Sequence, residues 1–448
     1  MSKIYDLPLS FNIVRRYTTF CFRRYYSEFI ILGKENIPAT GPVIFAPNHT
    51  NALMDAIAVH AVAPNDMPVI FLARADLFRN KYAARFLRFT KIMPAFRMRD
   101  GMENLGKNNE VFDQCVEVLD NKKALGIMPE GNQEIERKLR PLVKGIFRIA
   151  FAAQQNYTNG DGVKIIPVGL DFGDLVKSNK HIIVNVGKPI EVAEYMNAYV
   201  ENPVNATNDI RDRLRADLES LSFNLATDKY YESFEIAIET ANKYMLDELS
   251  LPDNTVNRFV ARQRIAEVLI DLERTQPGKA QKLDTLCGEY ARALKKLNLK
   301  SWVFDNTPSG LSVLLANSLL LLLTLPFFIV GFVLNAFPFL LPVVIRKHVI
   351  NPEFTGFISS LQFFLGALAF PIFYVLQTVL FALCSPAAWW LVLLFFFCQY
   401  PLGKLAVKWH RKARKFAAKW GYRGLRQKKS SELLHAQTLR GQIIGMIF

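Results

Sequence analysis

Two stretches toward the C-terminal end restrict this chain more than any other feature. Leu311 to Ile345 holds few polar groups and no charge, and Phe357 to Tyr400 is likewise uncharged. A membrane span takes ~20 apolar residues, so the second stretch is long enough for two, broken near Cys384-Ser385-Pro386. The first is too long for one upright helix and barely short of two. Pro326, Pro338 and Pro342 predict that it is kinked, strongly tilted or re-entrant. Trp389 and Trp390 suit either a membrane interface or the membrane core. The expectation is an integral membrane protein with membrane hairpins over residues 306–403.

Charge agrees with that placement. The 448 residues carry 55 Lys and Arg against 40 Asp and Glu, a formal net charge of +15. Such a balance suits nucleic acid, an anionic membrane surface or acidic substrates. The 35 phenylalanines and the apolar runs select the membrane. Residues 404–448 form a basic tail, with Trp409, Trp420 and Tyr422 interleaved among its cations. By itself the tail could be a nucleic-acid arm. Directly after membrane segments it reads as a contact for anionic lipid or a positive-inside anchor, and no nucleic-acid partner is expected. Residues 1–29 read as a basic, aromatic helix, lying at the membrane interface or packed as an ordinary surface helix. Arg15, Arg16, Arg23 and Arg24 interrupt its apolar residues, so no cleavable signal peptide is expected. The five cysteines are scattered, with no CxxC and no histidine at ligand spacing, which predicts neither a disulfide framework nor a metal site.

Over residues 30–201 apolar runs at 43–46, 68–73, 124–128, 165–170 and 182–186 alternate with helical patterns. That alternation predicts an α/β domain with a largely parallel sheet, its sites at strand ends. Residues 202–305 change character. Ile210, Leu214, Leu218, Leu221 and Leu225 recur at helical spacing, as do Leu283, Leu286, Tyr290, Leu294 and Leu297. This predicts a helical subdomain of about four helices.

The chemistry concentrates in the stretch from Pro42 to Ile57. The run Val43–Ala46 ends at Pro47, a polar Asn48-His49-Thr50-Asn51 corner follows, and a helix opens within a residue or two of His49. Positions six apart on a helix lie about 120° from each other. His49 can therefore meet Asp55 only from the loop before the helix, with its side chain swung back. A His–Asp pair there would be a base with an orienting carboxylate, whereas separately the two are a capping histidine and an unrelated acid.

Four segments in order decide between these. Asn48-His49 to Asp55 resembles block I of the glycerolipid acyltransferase family, which includes glycerol-3-phosphate and 1-acylglycerol-3-phosphate acyltransferases. The segments Phe71–Phe78 and Ile92–Arg97 resemble block II. Gly126-Ile-Met-Pro129-Glu130-Gly131-Asn132 resembles block III, and Ile165-Ile-Pro167-Val168-Gly169-Leu170 resembles block IV. Each alone is weak; four in order are specific. The resemblance covers Ile31 to Glu191 and implies an acyltransferase domain. His49 would be the base and Asp55 its partner, with Asn48, Arg97 or Arg99, Glu130, Gly131, Asn132 and Lys144 binding substrate.

The implied reaction moves a fatty acyl group from acyl-CoA or acyl-carrier protein to glycerol-3-phosphate or a lysophospholipid. It needs no cofactor, no metal and no acyl-enzyme, and it takes place at a lipid membrane. Two departures stand out. Five residues separate His49 from Asp55 where the family usually has four, a spacing that resembles some eukaryotic-type glycerol-3-phosphate acyltransferases. Block III continues Asn132-Gln133 where the family often has Thr-Arg, leaving Arg137, Lys138, Arg140 or Lys144 as substitutes for the missing cation. Two alternatives remain: another lyso-lipid acceptor, or a lipid-binding scaffold whose catalytic domain has decayed. The catalytic domain is expected on the cytoplasmic side.

Overall fold

The computed structural model describes residues 3–95, 105–133, 136–157, 162–305, 310–349 and 355–448. Two compact units divide the chain. One takes Met1–Asn224 with Ile350–Phe363, the other Leu225–Val349 with Phe364–Phe448.

The first unit is built on a mixed, largely parallel sheet. Its strands are β1 (Glu28–Leu32), β2 (Val43–Pro47), β3 (Val69–Arg74), β4 (Ile92–Ala95), β5 (Ala124–Gly126), β6 (Lys164–Phe172), β7 (His181–Val186) and β8 (Ile190–Glu191). They run in the order β1-β7-β6-β2-β5-β3-β4, with β8 beside β6. From β6 to β4 every neighbour is parallel; β7 turns antiparallel against β6 and takes β1 with it. The helices are α1 (Leu9–Tyr25), α2 (Leu53–Val62), α3 (Lys81–Phe89), α4 (Leu105–Asp120), α5 (Gly145–Gln154), α6 (Met196–Glu201) and α7 (Pro203–Leu221).

Strand β2 shows why the central strands read as unbroken apolar runs. Val43 and Phe45 enter one core with Met54, Ile57 and Val62 of α2, while Ile44 and Ala46 enter another with Phe147 and Phe151 of α5. A strand buried on both faces has no polar side to alternate with. β1 and β4 were not among the expected runs. They are the two edges of the sheet and only half buried, so their apolar signal is shorter.

Helix α7 shows where a periodic pattern misleads. Its sequence groups it with the helical subdomain, yet Ile210, Leu214 and Leu218 are fully buried in the core of the first unit beside Phe147. The boundary therefore falls after Asn224 and not at residue 202. An apolar stripe does not say which surface it covers.

Helix α1 uses its two faces differently. Phe11, Arg15 and Phe22 turn inward. The Arg15 guanidinium donates to the carbonyls of Asn65 at 2.9 Å, Pro64 at 2.8 Å and Ala63 at 3.3 Å, and Arg23 donates to Ala61 O at 3.1 Å. These are carbonyls at and beyond the C-terminal end of α2, where a helix leaves its last carbonyls without backbone donors and favours a cation. Ile13, Tyr17 and Phe20 face outward and are exposed.

The second unit is helical: α8 (Tyr231–Glu248), α9 (Thr255–Thr275), α10 (Pro277–Leu297), α11 (Leu311–Val349), α12 (Ile358–Cys384), α13 (Trp389–Gln427) and α14 (Ser431–Ile447), the first turn of α12 belonging to the first unit. Three of these helices, α11, α12 and α13, are long and apolar enough to cross a membrane. α11 and α13 pack antiparallel: Trp409 Nε1 donates to Leu321 O at 3.1 Å, and Asn335 Nδ2 donates to Gln399 O at 3.1 Å. Gly331 lets the backbones meet, since a Cβ there would lie 2.3 Å from Leu402 O.

A polar knot sits at the crossing with α12. Tyr374 donates to Asn335 Oδ1 at 2.6 Å, and Gln399 Nε2 donates to Thr378 Oγ1 at 2.9 Å. Gln377 Nε2 donates to Leu334 O at 3.0 Å. Pro338, four residues on, has no N–H to offer that carbonyl, so a neighbouring helix supplies the donor. Outward-facing Leu319, Leu322, Leu323, Phe332 and Val333 are all more than half exposed.

The basic tail is a folded part of this unit. Arg440 of α14 pairs with Asp305 at 2.6 Å and donates to Ser301 O and Thr240 O. Leu299 and Val303, which precede the apolar region, share a small core with Tyr422 and Leu433, which follow it.

Candidate active site

Strands β6, β2 and β5 lie side by side in parallel, so the chain leaves all three at one edge of the sheet. Three of the four blocks expected from the sequence meet there. Asn48 ties the first to the fourth: its Nδ2 donates to Leu170 O at 3.2 Å, and its Oδ1 accepts from Leu170 N at 2.6 Å. With its side chain spent on the backbone of β6, Asn48 shapes the corner.

The chain then turns sharply. Ala52, preceding α2, has φ 47 and ψ −120, a conformation disfavoured for any residue with a Cβ. The helix begins at Leu53, later than the polar corner suggested, and no side chain of that corner caps it. Asp55, in the first helical turn, supplies the acceptor instead. Its Oδ2 takes the Asn51 amide at 2.8 Å and meets His49 Nδ1 at 2.8 Å. His49 is in the loop with its ring swung back toward the helix. The extra residue between His49 and Asp55 is absorbed by the turn at Ala52.

Asp55 is fully buried. Burial pushes its carboxyl up from the ordinary range, against the opposing pull of His49 and of the Asn51 and Thr50 amides. Its hydrogen bond assigns the Nδ1 proton of His49, which leaves Nε2 with a free lone pair. The His49 side chain is 18% exposed, so it remains reachable from outside.

The third block holds the corner from the other side. Glu130 Oε1 accepts the His49 amide at 2.7 Å, and Oε2 accepts the Arg140 amide at 3.1 Å. Burial pushes the Glu130 carboxyl up, while those two amides hold it down. Both oxygens are thus engaged with main chain, binding the His49 loop to the segment after block III. Gly131 turns the chain at φ 65, and the Val143 amide returns to Pro129 O at 2.7 Å. That turn needs a residue at ease in the left-handed region.

Of the candidate cations, Arg140 lies beside the site, its amide on Glu130. Arg137 donates to Phe172 O at 2.7 Å at the end of β6. Asn132 and Lys144 are exposed, Lys144 just before α5. Arg97 and Arg99 lie outside the described residues. Among the described residues no cluster of His, Cys, Asp or Glu is arranged to hold a metal ion. Of the other histidines, His60 is driven to remain neutral, its pKa pushed down to about 3 by burial and by Arg15. Its ring packs edge-on against Phe71, centroids 5.1 Å apart.

Residues 28–171 match the family model described as Acyltransferase. Glycerol-3-phosphate O-acyltransferase 1 of Saccharomyces cerevisiae is 25% identical over 135 residues, which is 30% of this chain and 18% of that protein. The match thus takes in less than a fifth of the yeast protein's length. The crystal structure of the 1-acyl-sn-glycerophosphate (LPA) acyltransferase PlsC from Thermotoga maritima aligns at 16% identity with a TM-score of 0.33, covering 46% of this chain and 76% of that one.

Proposed function

From the match of residues 28–171 to the acyltransferase family model, we propose that this chain is a membrane-bound O-acyltransferase. It would transfer a fatty acyl group from an acyl-CoA or acyl-carrier-protein thioester to a hydroxyl of glycerol-3-phosphate or 1-acylglycerol-3-phosphate. The observation that carries the reading is the His49–Asp55 pair at 2.8 Å, with Nε2 left free. An alcohol is a weak nucleophile until its proton is removed, and a positioned imidazole removes it as attack begins. The hydroxyl oxygen adds to the thioester carbonyl while His49 Nε2 takes the proton. The tetrahedral intermediate collapses, the carbon–sulfur bond breaks, and the thiolate leaves with the proton returned from His49. Asp55 holds the ring in the useful tautomer and stabilises the imidazolium formed in between.

The test is incubation of the purified full-length protein with radiolabelled acyl-CoA or acyl-carrier protein and a panel of acceptors. Labelled lysophosphatidic or phosphatidic acid is the expected product. Label appearing only on acceptors without a glycerol phosphate would overturn the choice of substrate, and no acyl transfer to any acceptor would overturn the reading.

The catalytic domain would face the cytoplasm. Support comes from within the second unit, where residues before and after the apolar region share one core. A folded body stands on one side of a membrane, so in this reading the chain would cross an even number of times between Asp305 and Tyr422, and not all three apolar helices would be full spans. The cations at Arg346-Lys347 and from Lys404 onward favour the cytoplasmic side. Single cysteines replacing Glu201 and Ser430 in a cysteine-free protein should both resist a membrane-impermeant thiol reagent in intact cells and react after permeabilisation. Labelling of one but not the other from outside would mean an odd number of crossings and sink the arrangement.

A further inference from the structure

The corner that carries His49 has one support from far along the chain. Asn51 is 2% exposed, and its carboxamide makes a single hydrogen bond among the described residues, accepted by Oδ1 from Ser359 Oγ at 2.5 Å. The two residues are 308 positions apart. Ser359, also 2% exposed, stands in the first turn of α12, within the segment that belongs to the first unit. That segment has its own anchor: the Phe363 ring packs edge-on against Phe22 and Tyr25 of α1, at 5.9 Å and 5.6 Å between centroids. The backbone amide of Asn51 in turn donates to the same Asp55 oxygen that holds His49 Nδ1.

We infer that Ser359 is a positioning residue for the His49–Asp55 pair, acting through Asn51. The inference rests on the acyltransferase reading for its kinetic consequence but not for its structural one. Asn51 immediately precedes Ala52, whose φ of 47 is maintained only if the surroundings hold the turn from several sides. Ser359 holds the Asn51 side chain, and Asp55 holds its amide. Among the described residues, Asn51 Nδ2 and Ser360 Oγ are also buried without a hydrogen-bond partner. Without the Ser359 hydroxyl, the whole Asn51 carboxamide would be buried and unpaired, a state that favours rotation of the residue toward solvent. Rotation of Asn51 carries its amide away from Asp55, and the carboxylate loses the donor that fixes it against His49.

The test uses the full-length protein with Ser359→Ala, Ser359→Thr, Asn51→Ala and the Ser359→Ala/Asn51→Ala pair. Ser359→Ala should lower kcat about five- to tenfold, the worth of one neutral hydrogen bond, with the KM of both substrates unchanged. Ser359→Thr, which keeps the hydroxyl, should stay within about twofold of wild type in kcat. The double variant should be no slower than Asn51→Ala, since one path carries both effects. Hydrogen–deuterium exchange supplies a readout independent of turnover. The peptide spanning Asn48 to Asp55 should lose protection in Ser359→Ala and keep it in Ser359→Thr. Unchanged protection in Ser359→Ala, or kinetic effects of the two single changes that multiply, would overturn the inference. A wild-type protein without acyl transfer, in which the exchange pattern still follows the hydroxyl, would sink the proposed reaction and leave the positioning contact standing.

Discussion

Replacing His49 by alanine is expected to abolish acyl transfer, by about 10²–10⁴ in kcat, while the protein remains folded and in the membrane. Among the described residues the ring is the only base hydrogen-bonded to Asp55, and its removal leaves the acceptor hydroxyl to attack unassisted. Asp55→Asn should lie between that variant and wild type. An amide can still meet Nδ1, but it lacks the charge that stabilises the imidazolium, and it can donate to Nδ1 and place the ring proton on Nε2 instead. Single-turnover rates with radiolabelled acyl donor measure both variants. Near-wild-type turnover of purified His49→Ala would exclude the proposed mechanism.

Glu130→Ala is expected to damage stability and catalysis together. The carboxylate is the acceptor for two backbone amides, those of His49 and Arg140, and the residue is 6% exposed. Its loss leaves both donors in a buried setting, which costs on the order of 3 kcal/mol of folding stability. The loop carrying His49 is freed at the same time, so kcat should fall by about tenfold or more with little change in the KM of the acceptor. Thermal unfolding and steady-state kinetics of the same preparation decide the case. A Glu130 that bound the acceptor hydroxyl would give the opposite pattern: a raised acceptor KM at unchanged stability.

Those two expectations differ in how early they could be made. The His49–Asp55 pair was available from the sequence, because six positions on a helix exclude contact and a polar corner just before the helix permits it. Only one local detail was missing, the turn at Ala52 that absorbs the additional residue. The role of Glu130 could not be read in the same way. A glutamate beside a glycine suggests a ligand contact, but its partners here are main-chain amides, and every residue except proline carries one. No side-chain pattern reveals which amides a fold will leave without an acceptor.

The same distinction runs through the fold. Central strands, the corner between β2 and α2, and the lipid-like helices are properties of local runs: apolar length, period, and the breakers that end them. The sequence by itself therefore determined that an α/β domain with a His–Asp corner precedes helices long and apolar enough to cross a membrane. Tertiary structure alone decided that α7 covers the sheet, that α14 returns to the helices before the apolar region, and that Ser359 closes over Asn51. Each of these is a choice between surfaces of similar chemistry. An amphipathic stripe, a buried arginine or a serine hydroxyl specifies what kind of partner it needs, and only the packed chain specifies which one it meets.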